Sequence, residues 1–154
     1  MTPPERFRAL LAQPASIVLP AVWDGLSAKW AAAAGFETAL LSGSCVAGGR
    51  MGGPDLDLLS FAEMFDSFNM VRGAAPETLV LADADHGYGN PMNVPRTVRA
   101  YGRAGAAAIL VEDKITPRAL ERFHAGWNRS STLVHAATRP GSRKGAIPPR
   151  AKPL

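Results

Sequence analysis

The sequence predicts an α/β fold: a parallel sheet whose strands alternate with crossover helices. Short apolar runs at Ile17–Leu19, Glu37–Leu41, Leu79–Ala82 and Ala107–Val111 alternate with helical stretches at Gly25–Ala34, Ser60–Arg72 and Asn93–Ala104. Alternating units with short connections form parallel sheets with right-handed crossovers. The acids and glycines also follow the strands rather than precede them. In a (β/α)8 TIM barrel the site is built from those C-terminal strand ends, so a partial barrel of about the first four β/α units is expected.

The elements have local reasons. Glu5–Gln13 reads as a short amphipathic helix between Pro3-Pro4 and Pro14. Ile17–Leu19 reads as a strand ending at Pro20. Asp24 is the predicted N-cap of the next helix and Gly35 its stop. Ser42-Gly43-Ser44 reads as the turn after the second strand, and Val46–Pro54 as a Gly-rich loop leading to Asp55. Ser60 with Glu63 makes a capping box. Gly105 stops the third crossover helix, and the fourth strand runs into Glu112-Asp113.

The chemistry centres on Leu79–Asn90, where an apolar strand meets Asp83, Asp85 and a turn containing Gly87 and Gly89. Strand residues two apart point the same way, so Asp83 and Asp85 are expected to project together. Like charges that close need compensation, and a hard divalent cation held by oxygens supplies it. The plainer alternative is a pair of solvated or helix-capping acids. Gly87 and Gly89 lack the third glycine of a dinucleotide fingerprint. They are read as letting the backbone turn tightly beside the site.

Composition narrows the class. At 154 residues and 47% hydrophobic content the chain is long enough for one domain with a core. One cysteine, Cys45, excludes an internal disulfide and any multi-cysteine metal site. No apolar run suits a membrane span and no leader is evident, so a cytoplasmic location is expected. Charge is unevenly spread. Residues 1–113 hold 8 Lys+Arg against 12 Asp+Glu, whereas 114–154 hold 9 against 1. The basic segment lacks interleaved aromatics, so specific nucleic-acid binding is not expected.

A family likeness rests on several segments together. These are Trp23–Ala28, Ala34-Gly35-Phe36, Leu41–Ser44, Gly53-Pro54-Asp55, Ala82–Asn90 and Val111–Lys114. In order and spacing they resemble the isocitrate lyase/phosphoenolpyruvate mutase superfamily. Asp83–Asn90, with His86 at its centre, is similar to the oxaloacetate decarboxylase-like branch. The resemblance implies a Mg2+-dependent lyase or decarboxylase, with Mn2+ as a substitute, acting on a small 2-oxo or 2-hydroxy carboxylate. It implies metal ligation by Asp83, Asp85 and Glu112, with Asp55 near the metal. Ser42, Gly43 and Ser44 would hold the substrate carboxylate. Each residue keeps a plainer alternative. Asp55 is otherwise a turn residue, Ser42 and Ser44 caps, and Glu112 a solvated strand end. His86 is either a proton shuttle or a hydrogen-bonded loop histidine.

The likeness is expected to cover residues 1–118, with 119–154 a disordered basic tail or out-of-frame translation. The Lys-Cys-Gly-His loop of the lyase branch is absent from the sequence. Only Lys114, Pro117 and Arg118 resemble the mutase gating loop. Strands five to eight are not expected, which leaves an open edge at the fourth strand. Activity would then need self-association of two halves, or a second polypeptide. A non-enzymatic remnant, or a basic-tailed interaction protein, is the alternative.

Overall fold

The computed structural model describes residues 1–112 and the strand at 131–134. Lys114, Pro117, Arg118, His124, Trp127 and His135 lie outside the described residues. So does the rest of the tail 119–154 for which disorder is expected, apart from the strand at 131–134.

The order is α1 (Pro3–Leu11), β1 (Ala21–Val22), α2 (Gly25–Ala33), β2 (Thr38–Leu41), α3 (Gly43–Met51) and α4 (Phe61–Ala74). Then come β3 (Leu79–Asp83), α5 (Asn93–Arg103), β4 (Ala108–Glu112) and β5 (Ser131–Val134). The strands form one sheet in the order β1-β2-β3-β4-β5. The first four are parallel, with Leu40 opposite Leu81 and Leu81 opposite Ala108. This is the expected α/β arrangement of the first β/α units.

The capping chemistry works as read. The Asp24 carboxylate accepts from the Ser27 N–H at 2.7 Å at the start of α2. At α4 the Ser60 hydroxyl accepts from the Glu63 N–H at 3.3 Å, and the Glu63 carboxylate accepts from the Ser60 N–H at 2.7 Å. Each box satisfies donors that the first helical turn leaves unpaired.

Alternation along the strands divides the core in two. Ala39, Leu41, Val80, Ala82 and Ile109 pack under the helices with Met64, Phe68, Val71 and Tyr101. Leu79, Leu81 and Ala108 face the other way, against Phe7 of α1. Asp83 continues the face of Leu79 and Leu81, by the two-residue period of the strand. The site acid therefore sits at the C-terminal tip of the face that a barrel encloses.

Three expectations are corrected. The first strand is Ala21–Val22, not Ile17–Leu19. Pro20 has no N–H to give, and it joins β2 by accepting from the Leu40 N–H at 2.9 Å. Most of the Val46–Pro54 loop is helix, because α3 runs from Gly43 to Met51 with Ser42 as N-cap. Its glycines disfavour helix locally, but burial of Val46 and Ala47 overrides propensity. Finally, the edge of β4 is not open. Ser131–Val134 pairs with it antiparallel, Leu133 opposite Leu110.

No helix among the described residues is long and apolar enough to cross a membrane.

Candidate active site

The site begins with Asp83, the last residue of β3. Its carboxylate accepts from the Gly43 N–H at 2.9 Å and from the Asp85 N–H at 3.2 Å. Burial, and next the Asp85 charge, push its carboxyl up to about 6. The two N–H donors oppose that rise, and the Glu112 charge adds to it. Gly43 is fitted to this contact. A Cβ there would stand 2.9 Å from Asp83 Oδ2, so any side chain would displace the acid.

Asp85 does not reach the site by strand alternation, as the sequence reading has it. The strand ends at Asp83, and Asp85 lies in the following turn with φ +44°. A left-handed backbone is uncommon outside glycine, though Asp tolerates it better than most residues. The turn is tied down. The Asp85 carbonyl accepts from the Glu112 N–H at the tip of β4, and Asp85 is only 5% exposed. Gly87, at φ +91°, closes the turn against α5, where a Cβ would fall 2.5 Å from Val94 Cγ2. The Tyr88 hydroxyl donates to the Asp83 carbonyl at 3.3 Å, and burial drives its phenol far above the ordinary range.

A second acidic pair meets Asp85. One carboxylate oxygen from each of Asp55, Asp57 and Asp85 lies within 4.8 Å of the others. Asp57 was missed by sequence reasoning. The signal was available: Asp55-Leu56-Asp57 repeats the Asp-x-Asp spacing of Asp83-Ala84-Asp85. Glu112 ends β4 and its charge bears on Asp83, but it is not part of this tight cluster.

The remaining candidates are placed as follows. Ser42 is buried and caps α3, its hydroxyl 3.4 Å from the Cys45 N–H and 3.1 Å from the Ser44 hydroxyl. The capping alternative for Ser42 therefore holds. The Gly43 N–H is engaged by Asp83 and does not face outward to a substrate. His86 is half-buried beside Asp85, and its Nδ1 has no hydrogen-bond partner.

The donor set suits a hard cation. It consists of carboxylate oxygens, with no thiolate among them. A buried carboxylate with a raised pKa among other acids is the charge imbalance that a divalent ion relieves. Asp55, Asp57 and Asp85 are grouped closely enough that they could hold one, with Asp83 beside Asp85 and the Glu112 charge nearby.

Known proteins match this chain closely. The family model for phosphoenolpyruvate phosphomutase matches residues 7–145. The likeness thus runs past residue 118, where the sequence reading ends it, because weak apolar periodicity in that stretch hides it. An oxaloacetate decarboxylase from Pseudomonas fluorescens (strain SBW25) is 35% identical over 147 residues, covering 96% of this chain and 48% of that protein. A crystal structure of 2,3-dimethylmalate lyase superposes with a TM-score of 0.69 at 36% identity, covering 77% of this chain and 41% of that one. Phosphonopyruvate hydrolase, solved in complex with oxalate and Mg2+, gives 0.71 at 32% identity, over 77% and 41%. The chain spans about half the length of the curated relatives it matches. It belongs to the phosphoenolpyruvate mutase/isocitrate lyase superfamily and covers the first part of that barrel.

Proposed function

We propose that this chain carries the cation-binding part of a lyase or decarboxylase site. Its substrate is a small 2-oxo or 2-hydroxy carboxylate, cleaved at a C–C or P–C bond beside the carboxylate. The observation that carries this reading is the meeting of Asp85 with Asp55 and Asp57, beside Asp83 at the tip of β3. The relatives named above support it, as does the oxalate and Mg2+ bound by one of them.

Asp85, Asp55 and Asp57 would hold Mg2+, or Mn2+ in its place, together with Asp83, and with Glu112 alongside. Bound there, the ion supplies Lewis-acid stabilisation of charge developing on substrate oxygens. The rest belongs to the chain. The N-terminus of α3 points its first turn at the site, and the Ser44 N–H and hydroxyl offer donors to the substrate carboxylate. Gly43 fixes Asp83. Tyr88 and Gly87 fix the turn that carries Asp85. In this reading His86 takes up or returns a proton.

The half-length match favours one second reading, a remnant that binds the ion but turns nothing over. Pyruvate release from oxaloacetate with Mg2+, compared with Asp83→Ala, separates the two. Release by the parent alone supports the lyase. Equal rates for both proteins remove it. Mg2+ binding by calorimetry, with no release from either protein, leaves the remnant.

A further inference from the structure

Asp55 and Asp57 sit on a short segment whose two ends are held. Residues 52–60 join α3 to α4 and carry both acids. At the far end Leu59 is buried in the core and Ser60 caps α4. At the near end Gly52 closes α3 with a left-handed backbone, φ +64°, its N–H donating to the Gly48 carbonyl at 3.0 Å. Between these ends Asp55, Leu56 and Asp57 are half-buried, and Leu58 is exposed.

Arg50, one residue before the end of α3, ties the two helices directly. Its guanidinium donates from Nε to the Ser67 hydroxyl at 3.1 Å and from Nη2 to the Asp66 carboxylate. Asp66 and Ser67 lie in the second turn of α4. Ser67 is fully buried, whereas the Asp66 side chain is largely exposed. An ion pair so open to solvent contributes little stability. Its effect is on geometry, because a rigid guanidinium fork held at two points fixes direction as well as distance. The other end of α3 is fixed too, where the Gly43 N–H meets Asp83. The helix is a strut between Asp83 and α4.

We infer that Arg50 is a positioning residue. By pinning the end of α3 to α4 it sets the span of residues 52–60, and so holds the Asp55 and Asp57 carboxylates against Asp85. The inference rests on the proposed reading of those acids as a cation site. Asp57 has φ +61°, a backbone that persists outside glycine where its surroundings enforce it. Its N–H reaches the Asp55 carboxylate only at 3.4 Å, a long bond for a turn under strain. Carboxylate oxygens of Asp55, Asp57 and Asp85 within 4.8 Å of one another also repel, which pushes the segment outward. The Arg50 tie opposes that push from outside the cluster.

The test pairs Mg2+ affinity by calorimetry with metal-free hydrogen exchange of residues 52–60 by mass spectrometry, on the full chain. Arg50→Met removes a positive charge, Asp66→Asn a negative one and Ser67→Ala none. Positioning predicts that all three weaken Mg2+ binding, Arg50→Met by about tenfold. It also predicts faster exchange of 52–60 in all three, with exchange of β3 unchanged. A field effect of charge alone gives opposite signs: Arg50→Met tightens binding, Asp66→Asn weakens it and Ser67→Ala does nothing. That pattern would overturn the inference, as would unchanged exchange in all three variants. Arg6→Met, which breaks the exposed pair with Glu77, is the charge control and leaves both readouts at parent values. Circular dichroism confirms folding, and Asp66→Asn carries the test if Arg50→Met does not fold. Faster exchange in a chain whose parent binds no Mg2+ would overturn the proposed cation site and leave Arg50 as the pin of the segment. Mg2+ binding by the parent, with affinity and exchange unchanged in all three variants, would remove the pin and leave the site.

Discussion

Asp83-Ala84-Asp85 and Asp55-Leu56-Asp57 share a spacing and a backbone shape. In each, the first carboxylate accepts from the N–H of the second Asp, at 3.2 Å and 3.4 Å. In each, the second Asp has a left-handed backbone, φ +44° at Asp85 and +61° at Asp57. Their supports differ. Asp83 ends a central strand paired on both sides and is held by the Gly43 N–H. Asp85 is tied to β4 through its carbonyl. Asp55 and Asp57 lie between α3 and α4, outside the regular elements. The comparison teaches that local sequence can make the same acidic turn twice. The tertiary setting decides which copy is buried, with Asp85 only 5% exposed.

Substitutions can break that comparison. Asp83→Ala should have the largest effect, lowering Mg2+ affinity by more than about 100-fold by calorimetry, beyond what loss of an outer partner costs. An affinity within a few-fold of the parent would show that the Asp55–Asp57 pair holds the ion without it. Gly43→Ala comes next, since the added methyl meets Asp83 Oδ2. It should cost about 1–3 kcal/mol of stability in urea unfolding, as overpacking does. Mg2+ affinity should drop about tenfold.

Asp57→Gly sharpens the contrast, because glycine keeps the left-handed backbone and deletes the carboxylate. Stability should change by less than about 1 kcal/mol, and Mg2+ affinity should weaken several-fold. An unchanged affinity would place Asp57 outside the ion's reach. Asp24→Ala, at the start of α2 and outside both pairs, should cost about 1 kcal/mol and leave Mg2+ affinity unchanged. Its Ser27 hydrogen bonds hold the Asp24 carboxyl below its ordinary value. Its contribution is therefore complete above the ordinary carboxylate pKa and is lost as pH falls through the lowered one. Urea midpoints across the acid range should converge for parent and Asp24→Ala below that point.

Much was legible because it is local. Asp24 with Ser27, and Ser60 with Glu63, announce helix starts within four residues. Leu79–Leu81 announces a buried strand by composition alone. Val46–Met51 was misread, since the burial that makes it helical comes from elsewhere in the chain. Asp57 was passed over because a loop acid carries no period to mark its direction.

The sequence by itself determined the alternation of β2, β3 and β4 with α2, α4 and α5, the caps of α2 and α4, and the presence of acids after β3 and β4. Hydrogen bonding within a turn and apolar period act over a few residues, so they can be read there. Only the tertiary structure decided that Asp55 and Asp57 meet Asp85, that Gly43 holds Asp83, and that β5 covers the β4 edge. Those depend on residues tens of positions apart brought together by packing, and nothing local encodes the distance between them.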